Sequence, residues 1–156
     1  MTRKNTGFTL VEILIVVIIL GILAAIVIPQ FTEASNDARV SALVSDLQTV
    51  RSQIELYKVQ HKDDFPGTVA GTWTIGNFVS SLTGKTDIDG TLNPAGALGS
   101  YLGKFPTNPF NSSNSVADAT AAADPNAPVG TTDGWWFNST TGNFGVNTTD
   151  AGCFDR

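Results

Sequence analysis

Cysteine is nearly absent from this 156-residue chain: Cys153 stands alone, so no intrachain disulfide can form. Histidine is as scarce. His61 is the single one, it reads as an exposed residue at a helix end, and no Cys/His zinc spacing occurs. A P-loop, a dinucleotide-binding glycine fingerprint and a Gly-x-Ser-x-Gly nucleophile motif are all missing, so no catalytic constellation presents itself. Positive charge is short too. Nine Lys and Arg face fourteen Asp and Glu, a formal −5, which argues against nucleic-acid binding by bulk electrostatics. Between Phe8 and Ile28 charge all but vanishes, with Glu12 as the one exception.

What the chain has in excess is this apolar run. As a helix it would span about 31 Å, close to the hydrocarbon thickness of a bilayer. Its Val and Ile content is a poor helix signal in water, but lipid forces backbone groups to pair internally. Residues 1–7 (MTRKNTG) are polar and basic, and the positive-inside rule puts them in the cytoplasm with the remainder crossing outward. Pro29 lacks a backbone donor and predicts a kink or locally melted turn.

Beyond Pro29, Val40, Leu43, Leu47, Val50, Ile54 and Tyr57 recur at alternating spacings of three and four. That is one apolar face of a helix, with Asp37, Arg39, Asp46, Arg51, Glu55 and Lys58 on its wet side. The helix is predicted from about Thr9 to about Lys62, roughly 80 Å long. Four parts follow: a leader at 1–7, an apolar helix half at 8–30, an amphipathic half at 31–62 and a loop-rich β domain at 63–156. In the last part, Ile75, Phe78, Val79 and Leu82 predict a short helix, and residues 101–106 an extended piece ended by proline. Residues 111–133 read as a loop without periodicity. Trp135–Asn138 and Asn143–Asn147 flank a four-residue, glycine-containing turn and predict a hairpin. The fold class is α+β: a long N-terminal helix packed on a small antiparallel sheet.

Gly7-Phe8-Thr9-Leu10-Val11-Glu12, followed by a charge-free apolar run, resembles the signature of type IV prepilins and of type II secretion pseudopilins. The resemblance implies that a membrane aspartyl peptidase cuts between Gly7 and Phe8 and methylates the new amine of Phe8. Glycine suits that role because no side chain blocks approach to the backbone. Losing Arg3 and Lys4 with the leader moves the formal charge from −5 to −7. Glu12 and Pro29 become the fifth and twenty-second residues of the mature chain, positions the family favours.

An ionised carboxylate at bilayer depth costs about 2.5–3.5 kcal/mol even on lenient scales, so Glu12 asks for a partner. The resemblance supplies the amine of Phe8, in the same or a neighbouring subunit, which would set axial register. A carboxyl that snorkels or stays protonated is the other reading. Cleavage by signal peptidase after Ala25, or a plain single-pass anchor, would leave Gly7 before Phe8 unaccounted for. Nothing in the chain can bury Phe8–Phe31 outside lipid, whereas the same surfaces of neighbours could. Staggered heterologous contacts then propagate as a helical fibre.

Calcium is the one cofactor that the sequence suggests. Asp118, Asp124 and Asp133, with Asn108, Asn111 and free carbonyls, lie in a loop of the oxygen-rich kind that calcium accepts. Residues 101–110 also resemble the Leu-Pro-x-Asp-Pro-Trp segment that precedes the calcium loop of major pseudopilins. Phe105, Asn108 and Phe110 depart from it, and a solvated polar loop is the other reading. The three Asn-x-Ser/Thr triplets, at 111, 138 and 147, read as polar loops.

The resemblance implies a structural filament subunit without catalysis of its own. Its partners would be further copies of itself, prepilin peptidase, an inner-membrane assembly platform and, before assembly, the bilayer. It would sit in the inner membrane with its N-terminus cytoplasmic, then enter a periplasmic or extracellular filament. Type II secretion major pseudopilin and type IV pilus major pilin both fit, with the missing disulfide and residues 101–110 leaning to pseudopilin ancestry. A membrane-anchored binding domain that never polymerises is the alternative.

Overall fold

A computed structural model describes residues 7–120 and 132–147, and divides the chain into two compact units, residues 1–38 and 39–156. One helix, α1 (Leu10–Gln60), serves both. From Ile13 to Ile28 it is apolar on every side. Each large apolar residue from Phe8 to Phe31 is between 46 and 81 % exposed. Such a helix is long and apolar enough to cross a membrane, and nothing among the described residues buries it.

The local melting expected at Pro29 is not present. Helix continues through it, and Thr32 Oγ1 donates to Ile28 O at 3.1 Å one turn on. A single proline deletes one i→i−4 bond and leaves those of the flanking turns in place.

In the second unit the amphipathic stripe of α1 becomes core. Leu43, Val50, Ile54 and Tyr57 are buried and Leu47 packs beside them. Facing them is α2 (Ile75–Thr83), which buries Phe78 and Leu82. Strands β1 (Thr68–Val69) and β2 (Thr72–Trp73) form a small antiparallel hairpin. Its two-residue turn places Ala70 and Gly71 at φ 49° and 81°, the left-handed pair of a type I′ turn. Strands β3 (Lys85–Thr86) and β4 (Leu98–Gly99) make a second antiparallel pair.

The main sheet contains β5 (Val116–Asp118), β6 (Trp135–Phe137) and β7 (Phe144–Val146), in the order β5-β6-β7. The predicted hairpin is β6–β7, with Trp135 opposite Val146 and Phe137 opposite Phe144. Its rings continue the core: Phe78 lies 4.6 Å from Phe137, and Trp135 stacks on Phe144 at 5.4 Å. Burying aromatic and aliphatic side chains of this size contributes about 1.5–3 kcal/mol each. Arg51, on the wet side of α1, reaches across and donates from Nε and Nη2 to Phe144 O at 3.0 and 2.8 Å.

Three local expectations need correction. Residues 101–106 are irregular rather than extended, because Tyr101 and Leu102 both turn their N–H groups onto Leu82 O. Inside the stretch read as loop, β5 forms and pairs parallel to β6, so the sheet is mixed. His61 is fully buried: its ring stacks on Tyr57 at 3.7 Å, and the end of α1 turns inward with it.

Candidate processing and assembly site

Gly7 precedes α1 in coil, and a side chain at that position would meet nothing within 4 Å. Packing within the chain therefore gives no reason for glycine there. Phe8 is 80 % exposed. Thr9 and Glu12 close the start of the helix between them. The backbone N–H of Thr9 donates to Glu12 Oε2 at 2.9 Å and the Thr9 hydroxyl donates to the same oxygen at 2.7 Å. In return Glu12 N–H approaches Thr9 Oγ1 at 3.3 Å. This reciprocal arrangement is a capping box, which satisfies helix N–H groups that have no partner one turn back.

The sequence signal for this box is Thr-x-x-Glu ahead of an apolar run. The consequence of the box is chemical. In the isolated chain the Glu12 carboxylate is not bare, because Thr9 supplies two donors to one of its oxygens. The structure thus brings together Thr9 and Glu12, with Phe8 just before them in the chain, while Pro29 lies far along α1.

Of the three acidic residues proposed for calcium, Asp118 and Asp133 lie among the described residues. Asp118 is exposed at the end of β5 and accepts from Thr120 N–H at 2.8 Å. Asp133 precedes β6, with its backbone carbonyl bonded to Asn111. Asp124 lies outside the described residues. Among the described residues, no group of three or more His, Cys, Asp or Glu is placed to hold a metal ion.

His61 offers no catalytic pairing. Its Nδ1 lies 3.0 Å from Tyr57 O, a group that only accepts, so Nδ1 carries the proton. Nε2 then accepts from the Thr86 hydroxyl at 2.9 Å. Both nitrogens are spent on the fold. Burial pushes the Tyr57 hydroxyl above its ordinary pKa, and that of Tyr101 likewise.

Residues 2–28 match the prokaryotic N-terminal methylation motif. The chain is 34% identical over 108 residues to type II secretion system core protein G of Pseudomonas aeruginosa, covering 69% of this chain and 70% of that protein. It is 35% identical over 131 residues to the type IV major fimbrial protein FimA of Dichelobacter nodosus, covering 80% of each. The chain belongs to the type IV pilin and type II secretion pseudopilin family. Similarity to core protein G of Vibrio cholerae, 39% over 59 residues, covers 40% of that protein. No solved structure matches the chain. These relatives are structural proteins, and the α+β arrangement of long helix and small sheets is the pilin-like fold. The chain is a structural pilin or pseudopilin subunit, and its apolar helix suits membrane anchoring.

Proposed function

We propose that the chain is made as a precursor with its first residues in the cytoplasm, cut between Gly7 and Phe8, and assembled through α1 into a filament of the type II secretion kind. The observation that carries this reading is the helix surface from Phe8 to Phe31, exposed on all sides and with Glu12 as its one charge. Lipid can cover it before assembly, and equivalent helices of neighbours after it. Prepilin peptidase would free the Phe8 amine beside the Thr9–Glu12 box, where a positive charge can pair with the carboxylate. That exchange would offset the cost of a charge at bilayer depth and fix one subunit's height against the next. An inner-membrane platform would lift each subunit from the bilayer.

One comparison favours a second reading. The fimbrial relative matches over 80% of both chains, more of each than the secretion relative covers. An extracellular pilus built on the same helix packing would account for that. Mass spectrometry of the mature protein tests the step common to both readings. The expected N-terminus is N-methyl-Phe8; an intact Met1, or a start after Ala25, would overturn processing at this site.

A further inference from the structure

The segment from Pro106 to Ser115 meets residues 133–135 along a short neck closed by five N–H donors, and every acceptor is a backbone carbonyl. Asn108 Nδ2 donates to Gly134 O at 2.8 Å, Asn111 Nδ2 to Asp133 O at 2.9 Å, and Trp135 Nε1 to Pro106 O at 3.0 Å. The backbone N–H groups of Gly134 and Trp135 both reach Ser115 O at 3.1 Å. Asn108 is fully buried at the centre. Its Oδ1 accepts from Phe110 N–H at 2.9 Å, and its own N–H and C=O bond to Ser113 and Ser112. Gly134 lies so close to this turn that a Cβ would collide with Ser113 O.

We infer that neutral amides close this neck in the place of a cation, so that the globular unit holds it without calcium. Calcium takes six to eight oxygens, carboxylates prominent among them. Here the carbonyls of Pro106, Ser115, Asp133 and Gly134 each already face an N–H hydrogen. Asp133 brings the one carboxylate among the described neck residues, and the Asp118 carboxylate is turned to Thr120. The decisive position is Asn108, where the resembling segment of major pseudopilins has aspartate. A buried carboxylate has no hydrogen for Gly134 O, and two facing acceptors repel unless a cation lies between them. The amide makes that bond itself. None of this depends on which filament the chain builds, or on its building one.

The test uses the full-length chain in detergent, melted by tryptophan fluorescence in excess chelator and in calcium chloride at matched ionic strength. Wild type should melt at the same temperature in both, and titration with calcium should show no saturable heat. Asn108→Asp should melt lower in chelator by about 5 °C or more, the size expected for losing a buried donor. Calcium that raises the wild-type Tm, or binds it saturably, would overturn the inference. So would Asn108→Asp that melts with wild type in chelator. If that variant does not fold, the two wild-type measurements still decide.

Discussion

Tyr57 sits where α1 leaves the core, stacked on His61 with Tyr101 tilted against it at 5.3 Å. Burial raises its pKa above the ordinary value of 10.0. The unfolded chain therefore ionises this hydroxyl first. The stability it contributes is complete below about pH 10 and is lost as pH rises from there through the folded value. Tyr101 acts in the same direction, also through burial. In melting curves taken from pH 8 to pH 11.5, Tyr57→Phe should lose less stability above pH 10 than wild type does. Parallel decline of the two would contradict the assignment. None of this environment was visible in the sequence. The burial of His61 comes from a ring stack and from Thr86, 25 residues away, and a lone histidine near a helix end carries no sign of either. The Thr9–Glu12 box is the opposite case: it is local, its four residues are contiguous, and it was legible.

Elements were legible in proportion to how local their causes are. Both helices followed from apolar spacing, and β6–β7 from two β-prone runs around a short turn. Strand β5 was not legible. Val116-Ala117-Asp118 carries no alternation, and its parallel partner lies 19 residues away, so register comes from the tertiary neck rather than from a turn. The hairpin also shows why one glycine is needed. Gly145, opposite Trp136, lies under its indole, and a Cβ there would collide with the ring. Trp136 cannot easily yield, being buried with Nε1 donating to Val146 O at 3.1 Å. Gly145→Ala should destabilise the globular unit by about 1–3 kcal/mol through overpacking and shift tryptophan emission. Gly103→Ala, where a Cβ meets nothing within 4 Å, is the control expected to leave both unchanged.

At the scale of the whole molecule, the two units divide the work. Among the described residues, those from 39 on bury their own stripe and form a core, whereas residues 8–31 present apolar surface that nothing described covers. Glu12 is the only charge between Phe8 and Ile28, so its loss should make membrane insertion easier and assembly harder. Glu12→Ala should reach the membrane fraction in wild-type amounts while sheared filaments fall at least tenfold. Filaments at the wild-type level would remove the carboxylate from the register mechanism. Glu12→Gln helps to separate charge from capping, since an amide oxygen can still accept from Thr9.

Asn108 has a further consequence, for chemical ageing. Asparagine turns into aspartate mainly when the next residue's backbone nitrogen attacks the side-chain carbonyl and closes a five-membered imide. Here the next residue is Pro109, whose nitrogen carries no hydrogen and cannot complete that ring. The buried side chain whose conversion would set two acceptors face to face at the centre of the neck is thus shielded from the usual route.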